Sequence, residues 1–302
     1  MPQADRPGNR CTTGGSACYA FQTMPEPHLT REAPPTLWHE VHGPWGSVRR
    51  NAWREAIKRG LTRLAAAAFR AADTSRGVAV LAYHGTTADR SDPTWLDFAG
   101  QMTLLEDLGF RVVPLGAAVA AILEERPPTV PTVSITFDDG WANNVHVAFP
   151  ELARRGWPAS VFVTTSFVGR RPFLSEAELA RLADFGVAAE MHTHGHPDLR
   201  ELDSASIAGE IGRCRDVLER ATGVRPGYFC YPFGSFDSRV RDAVAAAGVE
   251  AACTGLPGWN PPGSDPLRMR RITLDPGDGP ADLRARLAGG DVVLTKARRI
   301  FR

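Results

Sequence analysis

Residues 132–140 read TVSITFDDG. An uncharged run of strand formers, Thr132 to Phe137, ends in two carboxylates and a glycine. That is the pattern of a buried strand running into an acidic turn. Similar runs lie on either side: GVAVLAYHG (77–85), RVVPL (111–115), PASVFVTT (158–165), VAAEMHTH (187–194), GYFCYPFG (227–234) and VEAACTG (249–255). Between them stand helical patterns: FAGQMTLLEDLGF (98–110), VAFPELARRG (147–156), SEAELARLADFG (175–186), SASIAGEIGRCRDVLERATG (204–223) and SRVRDAVAAAG (238–248). Ser175 with Glu178 three residues on forms a capping box. Continuous apolar strands alternating with helices imply parallel βα units with both sheet faces covered. The fold class is therefore α/β. On this count a closed barrel and an open doubly wound sheet are both admissible, and no internal repeat is visible.

The pattern begins at Gly77 and defines a domain over 77–302. Residues 1–76 form an N-terminal extension. As far as about residue 50 it is rich in Pro, Gly, Thr and charge without periodicity, and is expected to be disordered. SVRRNAWREAIKRGLTRLAAAAFRAA (47–72) spaces Trp53, Ile57, Leu61, Leu64 and Phe69 as an amphipathic helix with a basic face. It either packs on the domain or makes a peripheral membrane contact.

The chain has 302 residues with 35 basic and 34 acidic side chains, so its balance asks for no nucleic acid. No basic stripe interleaved with aromatics stands out. Five cysteines (11, 18, 214, 230, 253) are odd in number and scattered, without C-x-x-C, which points to a reducing compartment. A pairing of Cys11 with Cys18 in the tail is not favoured by their spacing. No basic start followed by an apolar stretch marks a secretory signal, and no apolar run is long enough to span a membrane. The expectation is a cytoplasmic or membrane-peripheral protein. Oligomeric state is not legible.

Several strands end in polar groups: Tyr83-His84, Asp138-Asp139, His192 to His196, and Tyr231-Pro232-Phe233-Gly234. In parallel α/β architectures that edge carries the active site. Adjacent residues at a strand end point in different directions. One of the two aspartates is then free to ligate a metal while its neighbour serves as a base. His192 and His196 are four apart in a loop where Pro197 disfavours helix and Gly195 permits a tight turn. Two histidines and one carboxylate make a catalytic-metal set with positions left open for water and substrate. His194, the alternate residue, is expected to point away and support its neighbours.

SITFDDGWANN (134–144), EMHTHGHPDL (190–199) and YFCYPFGSFD (228–237), in this order, resemble the polysaccharide deacetylases, carbohydrate esterase family 4. VLAYHG (80–85) and TGLPGWNPPGSDPLRMRRI (254–272) resemble the opening strand and closing region of the family's exopolysaccharide branch. The resemblance implies a distorted (β/α) barrel of about seven parallel strands. It implies a metal-dependent hydrolase removing acetyl from an N-acetylated sugar, oligosaccharide or polysaccharide. By motif position Asp138 is the general base, and Asp139, His192 and His196 hold a divalent metal, usually zinc. The backbone N–H of Phe233 faces the oxyanion. Tyr231, Pro232, Phe233 and Trp259, with Trp141, are expected to contact the sugar.

The chain departs from the family pattern twice. Cys230 stands where the third motif carries an arginine that orients the base, and Arg271 is the expected substitute. The late Leu-x-His that supplies the general acid is missing from VVLTKARRI (292–300). His84, at the end of the first strand, is the expected acid, with Lys296 next in line; His146 is expected to be structural. These departures keep open a carbohydrate-binding relative without turnover, and the basic helix with no secretory signal keeps open a deformylase or deacylase of a lipid-linked sugar.

Overall fold

Each apolar run read as a strand is one, and all pair in parallel: β1 (Val78–Tyr83), β2 (Arg111–Val112), β3 (Thr132–Phe137), β4 (Ala159–Val163), β5 (Val187–Met191), β6 (Tyr228–Cys230) and β7 (Ala251–Pro257). An eighth, β8 (Met269–Thr273), follows β7. The computed structural model describes residues 74–92, 95–124 and 126–289. The extension as far as residue 73, the helix expected over 47–72, Cys11 with Cys18, and Lys296 lie outside the described residues. The chain divides into two units, Met1–Pro34 and Pro35–Arg302, and the described residues belong to the second.

β1 decides between barrel and open sheet. Along one edge it pairs with β3, from Val78↔Thr132 to Tyr83↔Phe137. Along the other it pairs with β8 through Leu81↔Ile272 and Ala82↔Thr273. The order β1-β8-β7-β6-β5-β4-β3 thus returns to β1, a closed barrel of seven parallel strands. β2 stands outside that ring and pairs only with the start of β3.

Six helices connect the described strands, α1 (Phe98–Asp107), α2 (Leu115–Leu123), α3 (Ala148–Arg154), α4 (Glu176–Ala180), α5 (Ser204–Thr222) and α6 (Ser238–Ala246), and α7 (Pro280–Leu287) follows β8. The capping box at Ser175 and Glu178 opens α4. Every residue of β1, β3 and β4 is buried, because one parity meets helices and the other meets the barrel interior. Leu81, Tyr83, Ile135 and Phe137 pack outward with Phe98, Met102, Phe149, Leu152, Ile207 and Ile211. Phe137 lies edge-on to Phe149 at 5.2 Å.

The other parity forms a second cluster: Val80, Phe162, Cys230, Cys253 and Met269, from five strands, together with Leu115, Val119 and Ile122 of α2. A cluster drawn from five strands of a closed ring is the barrel interior, and α2 plugs its amino-terminal mouth. The sequence reading passes over α2. LGAAVAAIL buries one face, Leu115, Ala118, Val119 and Ile122, but its open face carries Ala117, Ala120 and Leu123 instead of polar residues, so no polar stripe reveals its period. The RVVPL strand accordingly shrinks to Arg111–Val112.

Candidate active site

The carboxyl ends of β1, β3, β5 and β6 lie at one rim, and the sequence hands polar residues to each. The ladder leads directly into the site: the Asp138 N–H donates to Tyr83 O at 2.8 Å, one step beyond the last β1–β3 pair. Asp138 is 4% and Asp139 2% exposed, so both carboxylates require partners.

Asp138 finds Arg271, which rises from β8 across the closure. Nη1 donates to Oδ1 at 2.7 Å and Nη2 to Oδ2 at 2.8 Å, while Nε donates to Thr254 O at 3.2 Å. Burial pushes the Asp138 carboxyl up, but the guanidinium outweighs it and holds the group below the usual carboxylate range. The Cys230 thiol lies 3.7 Å from Asp138 Oδ2 and equally far from Tyr231 O, and burial pushes its pKa well up, so it remains a neutral neighbour.

Asp139 faces the histidines. Its Oδ1 is 3.3 Å from His192 Nε2 and 3.6 Å from His196 Nε2. The His192 Nδ1 sits 2.7 Å from Cys230 O, a carbonyl that only accepts. That contact fixes the Nδ1–H form and leaves the Nε2 lone pair of a neutral His192 aimed at a carboxylate oxygen. Two acceptors so placed repel unless a proton or a metal ion lies between them; without a metal, burial of His192 is outweighed by the hydrogen bond to Asp139 and the charges of Asp138 and Asp139, which raise its pKa. Ligands bound to zinc at about 2.0–2.2 Å in a tetrahedron stand roughly 3.4 Å apart, which matches both separations. The donor atoms of Asp139, His192 and His196 all fall within 4.8 Å of one another. The residues fit a divalent metal.

The backbone is held for this purpose. Among the described residues, the non-glycine positions with positive φ are Asp139 (69°), Thr193 (65°), His196 (60°) and Phe233 (59°), all at this rim. Such positions cost of order 1–3 kcal/mol each and persist where surroundings over-determine them. The surroundings are visible. Thr193 Oγ1 accepts from the His196 N–H at 2.9 Å and itself donates to His192 O. Glu210, on α5, accepts from the Gly195 N–H at 2.6 Å. His194 turns away to Thr165 Oγ1, 2.9 Å from its Nδ1. Sequence spacing carries no signal for Glu210 or Thr165, because both arrive from other elements.

His84 ends β1 on the same rim, with its carbonyl accepting from Asn144 Nδ2 at 2.9 Å. Its charge, when protonated, lowers the pKa of both Asp138 and Asp139. His146 is exposed, beyond the short turn that follows the aspartates.

The expected sugar contacts need correction. Tyr231 is fully buried, stacked on Phe236 at 5.0 Å, and its hydroxyl donates to Leu267 O at 3.1 Å. Pro232 is buried as well. Trp259 lies at the opposite end of the barrel, beside the Val78–Asn260 bridge; its ring packs on Phe110 and its Nε1 donates to Leu287 O. Trp141 turns its Nε1–H inward to Asp139 Oδ2 at 3.1 Å. Of the group, Phe233 keeps an open face: it is 46% exposed, with its ring 4.7 Å from His196.

Comparison with known proteins points to the same family. A family profile described as polysaccharide deacetylase matches residues 125–252. YxkH of Bacillus subtilis (strain 168) is 24% identical over 199 residues, spanning 66% of this chain and 71% of YxkH. The chitin deacetylase of Amylomyces rouxii is 29% identical over 130 residues, 43% of this chain and 30% of that enzyme. Among solved structures, the Streptococcus pyogenes deacetylase PplD in complex with acetate has a TM-score of 0.63 at 20% identity, covering 70% of this chain and 97% of that one. At that identity the likeness is one of fold.

Proposed function

Because the chain belongs to the polysaccharide deacetylase family, carbohydrate esterase family 4, we propose that it is a divalent-metal-dependent hydrolase that removes acetyl from the nitrogen of an N-acetylated amino sugar or its polymer. The observation that carries this reading is the convergence of Asp139, His192 and His196 beside an ionised Asp138 clamped by Arg271. A binding-only relative has no need of that clamped carboxylate.

Asp139, His192 and His196 would hold the metal, with zinc as the first expectation. When bound, such an ion supplies Lewis acidity, polarising the carbonyl oxygen and acidifying water. The remaining work falls to the chain's own side chains. Asp138, kept ionised by Arg271, takes a proton from the attacking water. Arg271 fixes the carboxylate's plane through two parallel hydrogen bonds, so its direction does not wander. The water oxygen bonds the carbonyl carbon and the C–N bond breaks. His84 gives the departing nitrogen its proton, so the products are acetate and a free amine. The backbone N–H of Phe233 is assigned to the developing oxyanion. The open face of Phe233 offers an apolar contact to the acetyl methyl or the sugar ring.

The test is direct. Zinc-loaded protein is incubated with N-acetylglucosamine, chitooligosaccharides and other N-acetylated sugars, and released acetate is measured alongside free amine. Equal amounts of both, abolished by chelation and restored by zinc, are expected. Folded, zinc-loaded protein that releases no acetate from any of these sugars would overturn the proposal.

A further inference from the structure

Trp141 follows the metal-facing aspartate by two residues, yet its indole returns to it. The reversal has a local cause. Asp139 and Gly140 both adopt left-handed φ, 69° and 80°, which folds the chain back within two residues. A strand-like bridge then locks the next step. Trp141 pairs with Phe173, the Ala142 N–H donates to Pro172 O at 3.0 Å, and the Leu174 N–H donates to Gly140 O at 2.9 Å. The indole packs against the Phe173 ring with centroids 4.9 Å apart. Its Nε1–H therefore reaches Asp139 Oδ2, 3.1 Å away, in a fixed direction.

The two oxygens of Asp139 consequently have different neighbours. Oδ1 faces His192 Nε2 and His196 Nε2. Oδ2 accepts a hydrogen bond from the indole that Phe173 packs against. We propose that Trp141 is a positioning residue for the metal site, its indole N–H holding Asp139 so that Oδ1 alone is offered for ligation. In this role the residue acts through Asp139. Groups that orient metal ligands in this way typically contribute 10–100-fold in affinity. The inference rests on the metal-dependent reading above and extends it to a residue whose aromatic character by itself suggests only a wall for sugar.

The experiment separates the N–H from the ring. Trp141 is replaced by genetically encoded benzothienylalanine, which keeps the bicyclic shape and puts sulfur in place of N–H. Trp141→Phe is made in parallel. Metal-free protein is titrated with zinc against a competing chelator, and thermal unfolding of each metal-free variant is recorded. Zinc affinity should fall about 10–100-fold in both variants. The benzothienyl variant should unfold at the wild-type temperature when metal-free, since its packing is intact. Wild-type zinc affinity in the benzothienyl variant would overturn the proposal, and a loss confined to Trp141→Phe would do so too, by tracing the effect to packing. Wild-type protein that binds no zinc would instead sink the metal-dependent reading itself, and the role of Trp141 with it.

Discussion

Arg271 makes the most demanding contact in the site, since three of its nitrogens are committed to named acceptors with the side chain only 5% exposed. A lysine cannot reproduce two parallel bonds from a planar fork. Arg271→Lys should therefore retain zinc stoichiometry and lower kcat by about 10–100-fold, the equivalent of one hydrogen bond to a charged group. Acetate release under saturating sugar checks it; unchanged kcat would show that the clamp is not needed for turnover. Metal content distinguishes the histidines. His192→Ala should lose zinc, whereas His194→Ala, whose ring meets Thr165 instead, should keep it, as measured by elemental analysis of dialysed protein. These residues were legible to very different degrees. The aspartate pair and the histidines are close in sequence and sit at strand ends, so their grouping survives without coordinates. Arg271 was legible only through the arginine that Cys230 displaces. Tyr231 and Trp259 misled because an aromatic near a strand end looks alike whether it faces the core, the rim or the far mouth.

At the level of elements, β5 and β6 are the weakest neighbours, joined by a single registered pair, Met191↔Phe229. Glu190 stitches the seam: its carboxylate accepts from the Gly227 and Tyr228 N–H groups at 3.2 and 2.9 Å. Burial pushes its pKa up to about 8, against the opposing effect of those two hydrogen bonds and with some help from Glu250. The raised value fixes the sign. The stability Glu190 contributes is fully present below its ordinary pKa near 4.5 and is lost as pH rises through about 8. Glu190→Gln should flatten the pH dependence of stability between those limits and gain on wild type at the alkaline end. Urea unfolding of metal-free protein across that range measures it, and an unchanged slope would remove Glu190 as the cause. The plug at the other mouth makes a separate forecast. Ile122→Ala should cost about 2–5 kcal/mol of stability for the cavity it opens, with zinc stoichiometry unaffected because the site lies at the opposite rim. Strands and most helices could be read from their periods. α2 could not, since its exposed face is alanine and leucine and offers no polar stripe, and a strand of three residues such as β6 specifies too little hydrophobic pattern to reveal how thinly it is held.

For the whole molecule, every residue assigned to the site lies between His84 and Arg271, so deleting residues 1–50 should leave zinc content and turnover on a soluble sugar unchanged. Loss of turnover in a folded, zinc-loaded truncation would bring the extension into the site. The barrel's closure has a consequence in time as well as in space. Asp138 and Arg271 are 133 residues apart and meet only because β1 sits between β3 and β8. Contacts of such separation form late, since loop closure must be achieved before they reward it. During refolding, helix content should return before acetate release does. During synthesis the same order holds. A nascent chain that has emerged as far as Gly255 already carries Asp138, Asp139, His192 and His196, yet it should stay inert until residues 269–273 arrive and slot in beside Val78–Tyr83.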